Sequence, residues 1–124
     1  MLWKRLTDSD CVIKNLDLTD VYFDGEDRAA GVAVHVDGST IENVNVSGVI
    51  QSDGDRMGGI AGDIDGNATI KGCTVNVKFN KPSCDEALVG GVAGFIKSNG
   101  TVVVEDCINY SDIFSNTKGD GVTD

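Results

Sequence analysis

Three short polar stretches hold most of the residues that could bind a ligand. Asp24-Gly-Glu-Asp-Arg28 supplies Asp24, Glu26 and Asp27, Ser52-Asp-Gly-Asp-Arg-Met57 supplies Asp53 and Asp55, and Asn80-Lys-Pro-Ser-Cys-Asp-Glu86 supplies Asp85 and Glu86. Carboxylates grouped this way are hard oxygen donors. They could hold a divalent cation or accept hydrogen bonds from the hydroxyls of a polar glycan. Turns are rich in Asp and Gly in any case, so a row of solvated loops is the simpler account. The seven acids are the candidate ligand-binding residues.

Sharper chemistries find no matching spacing. Asp53-Gly-Asp55 and Asp63-Ile-Asp65-Gly66 pair their acids, but neither continues into a twelve-residue calcium loop closed by Glu. Gly58 to Asp65 lacks both the spacing and the tandem repetition of calcium-binding nonapeptides. Asp63 and Asp65 are expected to be outward strand and turn residues. Gly59-x-x-Gly62 does not have the dinucleotide-binding spacing, and no amphipathic helix follows it. Four cysteines with no C-x-x-C and one histidine do not make a zinc site. That histidine, His35, lies between Val34 and Val36 and is expected on the surface. No serine or cysteine stands in a nucleophile elbow. The expectation is a protein with no catalytic residues, metal or cofactor. The Asn-x-Ser/Thr sequons at Asn45, Asn67, Asn99 and Asn109 would matter only in a eukaryotic secretory pathway.

Ten basic against twenty acidic side chains give a formal net charge of −10. That balance argues against nucleic acid, which is held by clustered Lys and Arg, and against anionic lipid. No apolar run is long enough to span a bilayer. Met1-Leu2-Trp3-Lys4-Arg5 leads into polar residues with no apolar signal core, so the chain is read as cytoplasmic or as a mature or excised piece of a larger protein, and the repeat described below favours the excised piece. Sixteen glycines with one proline and 6% aromatics suit a structure of tight bends and small stacked side chains.

The elements that would position the acids come from a repeat. Gly31-Val-Ala-Val-His-Val-Asp-Gly38 aligns with Gly59-Ile-Ala-Gly-Asp-Ile-Asp-Gly66 and Gly91-Val-Ala-Gly-Phe-Ile-Lys97. A second block reads Ile13-Lys-Asn-Leu-Asp-Leu18, Ile41-Glu-Asn-Val-Asn-Val46, Ile70-Lys-Gly-Cys-Thr-Val75 and Val104-Glu-Asp-Cys-Ile-Asn109. Both blocks keep the same order and nearly the same period. A unit of two or three short strands cannot bury its own apolar face, so copies must stack. Stacking predicts an interior ladder of Ile13, Ile41, Ile70 and Val104 beside one of Leu16, Val44, Cys73 and Cys107. The adjoining outward ladder, Lys14, Glu42, Lys71 and Glu105, alternates in sign. Asn15, Asn43, Gly72 and Asp106 interrupt each block, as corner residues tolerating left-handed geometry would.

The fold class read from this is all-β: a parallel β-helix (β-solenoid) of about four turns, 28–34 residues each. The turns fall near 2–30, 31–58, 59–90 and 91–114, with 115–124 as linker or frayed tail. Leu2 and Trp3 align with Gly31 and Val32, and Trp3 is expected to cap the first layer. The three acidic stretches follow the same strand and should stack along one edge. Cys73 and Cys107 share a ladder close enough for a disulfide, but reduced thiols packed as small apolar residues are preferred.

Gly58-Gly-Ile-Ala-Gly62 and Gly90-Gly-Val-Ala-Gly94, each followed by a [Val/Ile]-x-x-Cys block, resemble the GLUG-motif repeats of bacterial secreted and surface proteins. The likeness covers roughly residues 30 to 112. It departs from the family pattern in having Ala where a larger aliphatic is usual, and in the glycine-poor copy at 31. The resemblance implies a right-handed β-helix within a large exported protein, often adhesin-like, at the cell surface or secreted. The family motif is structural and carries no catalytic residues. The function expected is a non-catalytic module presenting edge loops to a glycan or host surface protein, without nucleic acid or membrane insertion. The alternatives are a fragment of a polysaccharide-active lyase or hydrolase, in which Asp63 and Asp65 would matter, and a structural spacer docking to neighbouring repeats or domains.

Overall fold

The computed structural model describes residues 3–25, 27–52, 54, 56–80, 88–97, 100–113 and 122–123, and these are all-β. In chain order the strands are β1 (Trp3–Leu6), β2 (Val12–Gly25), β3 (Arg28–Ala30), β4 (Ala33–Asp37) and β5 (Thr40–Ser52). There follow β6 (Arg56–Gly58), β7 (Ala61–Asp65), β8 (Thr69–Lys71) and β9 (Thr74–Asn80). The last are β10 (Leu88–Gly90), β11 (Ala93–Ile96), β12 (Val103–Glu105), β13 (Ile108–Asn109) and β14 (Val122–Thr123).

These strands form three parallel sheets. The first has the order β1-β4-β7-β11 and the second β14-β10-β6-β3. The third runs β12-β8-β5-β9-β13, with β2 also paired to β5. The copies near 2–30, 31–58 and 59–90 each contribute to every sheet, and the stretch 91–114 contributes to the first and third. The predicted ladders hold residue by residue: Ile13 pairs with Ile41, Ile41 with Ile70, and Ile70 with Val104. Lys14, Glu42, Lys71 and Glu105 are likewise successive partners, and Lys71 Nζ lies 3.7 Å from Glu105 Oε1. Both groups of that pair are about half exposed, so it adds only tenths of a kcal/mol.

A bend inside each block sets which side chains face the core. Asn15, Asn43 and Asp106 have φ of 56°, 52° and 54°, and Gly72 has 65°. One left-handed residue resets the alternation, so Ile41 and Val44 are both buried although three residues apart. Asn tolerates this region better than most residues. The side chains add a ladder of their own, in which Asn43 Nδ2 donates to Asn15 Oδ1 and Asn45 Nδ2 to Asp17 Oδ1, each at 2.8 Å.

The core joins the inward faces of the three sheets, with Val32, Val36, Ile41, Val44, Ile50, Met57, Ile60, Ile64, Ile70 and Val75 all buried. Between β6 and β7 the chain doubles back sharply at Gly59 and Ile60. A Cβ on Gly58 would collide with the Ala61 carbonyl oxygen, and one on Gly90 with that of Ala93. That close approach brings side chains of the second sheet against those of the first.

One alignment changes. Trp3 pairs with Ala33, one residue later than the Val32 that the sequence alignment gives it. The first copy lacks the glycine that anchors the others, which left that register unmarked. The Trp3 side chain lies outside the described residues, as does most of 115–124, of which Val122–Thr123 pair with β10.

Candidate functional site

The edge loops are built from the ends of the third sheet. Asp24 pairs with Gln51 and Gln51 with Asn80, so the three acidic stretches leave aligned strand positions. They re-enter the second sheet in register too, at Arg28, Arg56 and Leu88. Asp24 and Asp27 are exposed, and Gln51 Nε2 donates to Asp24 Oδ2 at 3.1 Å. Glu26, Asp53, Asp55, Asp85 and Glu86 lie outside the described residues.

The expectation for Asp63 is corrected. It is fully buried, not an outward strand residue, because the doubled-back chain lays the start of the second sheet over it. Arg28 donates from a terminal guanidinium nitrogen to Asp63 Oδ2 at 2.6 Å, and Arg56 likewise to Oδ1 at 2.7 Å. Arg28 and Arg56 occupy the same register position of neighbouring strands, so one carboxylate bridges two stacked cations. The Arg56 guanidinium carbon lies 4.5 Å from the Phe95 ring centroid, a distance that supports cation–π attraction. Arg56 Nε is buried with no hydrogen-bond partner among the described residues. With both oxygens on arginines, Asp63 has no lone-pair-rich face turned to a substrate.

His35 is corrected for the same reason. Its side chain is 15% exposed, and Nδ1 sits 3.8 Å from Asp63 Oδ2. His35 and Asp63 are register partners, as are Asp37 and Asp65. Asp65 is also mostly covered, with its Oδ1 accepting from the Gly66 amide at 2.7 Å. One donor atom each from His35, Asp37 and Asp65 lie within 4.8 Å of one another. The sequence comparison did not find these groupings. The signal was present in Arg28 and Arg56, which recur seven residues before His35 and Asp63 respectively. Two stacked arginines require an anion between them.

The cysteine ladder is as expected. Cys73 precedes Thr74 and Cys107 precedes Ile108, and Thr74 pairs with Ile108. Cys11, Cys73 and Cys107 are free thiols, and Cys84 lies outside the described residues. Burial above all, with the neighbouring Cys107 thiol, pushes the Cys73 thiol from its ordinary 9.0 up to about 11. Since the thiolate is the nucleophile, alkylation of the native protein near ~pH 8 should spare Cys73 and label Cys107, as read by peptide mapping. Equal labelling of both would contradict the burial. Because the raised value favours the protonated folded form, its contribution to stability is intact below pH 9 and is lost as pH rises toward 11.

No family model, curated protein or solved structure matches this chain.

Proposed function

We propose that the chain is a right-handed parallel β-helix of about four turns, and that it serves as a non-catalytic, adhesin-like module of a secreted or cell-surface bacterial protein. In this reading it presents its stacked edge loops to a glycan or a host surface protein. The observation that carries the proposal is the shared register of the three variable stretches. Each leaves the third sheet beside Asp24, Gln51 or Asn80 and returns beside Arg28, Arg56 or Leu88. The stretches differ in length while the pairing on either side of them is kept, an arrangement suited to recognition by loops on a rigid scaffold.

The resemblance of Gly58–Gly62 and Gly90–Gly94 to GLUG-motif repeats supports the exported setting. The polysaccharide-active alternative loses its best carboxylate, since Asp63 is held by two arginines. A glycan array probed with and without calcium tests the proposal. Binding is expected for the native chain, with a loss of at least about tenfold when Asp53 and Asp55 are both changed to alanine. Turnover of an acidic polysaccharide, or binding indifferent to those two substitutions, overturns it.

A further inference from the structure

We infer that His35, Asp37 and Asp65 form a binding site for a divalent transition-metal ion of zinc-like chemistry, clamping β4 to β7. The inference is independent of glycan recognition, and its readout requires no glycan.

Three observations converge on these residues. First, the donors are already gathered. His35 and Asp37, two apart on β4, share a face, and Asp65 is the register partner of Asp37 on β7. Their donor atoms lie within 4.8 Å of one another. In a tetrahedral shell, bonds of about 2.0–2.2 Å place donors about 3.3–3.6 Å apart, so the widest of these separations closes by up to about 1.4 Å, within reach of side-chain rotation. Gly66, at φ 66°, helps to make the space, because a Cβ there would collide with Asp37 Oδ1.

Second, the paired carboxylates break the charge pattern of the rest of the described surface. Lys14, Glu42, Lys71 and Glu105 alternate in sign along their ladder, and Asp63 is matched by two arginines. Asp37 and Asp65 are instead like charges on directly paired strands, an arrangement that destabilises a sheet. Among the described residues neither has a Lys or Arg within ion-pair distance. Lys97, one residue beyond β11 on the neighbouring strand, is exposed and outside that distance. Asp65 is only 9% exposed, so water screens the repulsion poorly. A cation between the two carboxylates converts repulsion into a cross-link.

Third, His35 has a carboxylate behind it. Its Nδ1 faces the buried Asp63 at 3.8 Å, which leaves Nε2 for the ion. Metal-binding histidines commonly direct their second ring nitrogen at a carboxylate, which orients the ring and raises its basicity. The two arginines hold Asp63 in that position.

The donor set selects the class of ion. One imidazole with two carboxylates suits zinc and its first-row neighbours, whereas calcium and magnesium prefer all-oxygen shells. Three protein donors leave the remaining coordination position to water or to an oxygen ligand.

Calorimetric titration of the full chain with Zn2+ tests the site, alongside thermal melts and the visible spectrum of the Co2+ form. One ion per chain is expected, with a melting temperature that climbs with Zn2+ concentration. Asp37→Asn and His35→Ala should each weaken binding by at least about tenfold. Asp37→Asn should also melt slightly higher than the native chain without metal, since it removes the like-charge pair. That second readout separates a lost ligand from a damaged fold. The Co2+ spectrum should lack thiolate charge-transfer absorption. Absence of binding, binding unchanged in both variants, or a cysteine-ligated Co2+ spectrum each overturns the inference.

Discussion

Asp63→Ala is expected to destabilise the protein by about 3 kcal/mol in urea denaturation at neutral pH. Removing one partner of a buried ion pair leaves the other charge uncompensated, which ordinarily costs about 3–5 kcal/mol. Here two cations lose their common anion. Arg56 is mostly covered, but Arg28 is 37% exposed and can recover hydration, which places the estimate at the low end. Asp63→Asn should cost less, since the amide oxygen still accepts one hydrogen bond. A combined Asp63→Leu, Arg28→Met and Arg56→Met variant should recover much of the loss, because apolar packing can replace a buried ionic cluster. Lys71→Ala, which removes an exposed pair, should change stability by less than about 1 kcal/mol. A loss below about 1 kcal/mol for Asp63→Ala would mean that the buried cluster is no stronger than that surface pair.

The second large effect comes from the interior ladder. Ile41→Ala is expected to cost about 3–4 kcal/mol and lower the melting temperature by roughly 10–15 °C. Ile41 is fully buried, with Ile13 and Ile70 as its register partners on either side. Hydrogen bonds hold the paired strands about 4.8 Å apart, so the neighbours cannot collapse into the cavity. Val104 occupies the same ladder one copy later, but it is 38% exposed. Val104→Ala should therefore cost less than about 1 kcal/mol. Scanning calorimetry of the two variants decides the matter. Equal losses would show that ladder position, and not burial, sets the cost.

These two residues illustrate different degrees of legibility. Ile41 was readable because its role follows from a local rule repeated four times. An apolar residue opens each block, a residue tolerant of left-handed geometry stands two positions on, and the same order returns after each period. The structure places Ile13, Ile41, Ile70 and Val104 side by side, with Asn15, Asn43, Gly72 and Asp106 at positive φ. Pairing in register copies the one-dimensional period directly into space. The first copy was misaligned by one residue at Trp3 because it lacks the glycine anchor.

Asp63 was not readable in the same way. Alternation along β7 assigns it to the outward face, but an outward residue is not thereby an exposed one. The sharp bend at Gly59 and Ile60 folds that face against the neighbouring sheet, so Arg28 and Arg56 meet Asp63 over its surface. His35 is largely covered beside Asp63, and strand pairing between β4 and β7 gathers it with Asp37 and Asp65.

By itself, then, the chain determines which residues are neighbours between successive copies, because backbone hydrogen bonding fixes that spacing and a periodic sequence supplies the register. Only the tertiary structure decides which outward faces meet one another, because that depends on the angle between sheets. Small residues at Gly58, Ala61, Gly90 and Ala93 permit a close approach there; they recur with the period, but the period alone does not give the angle.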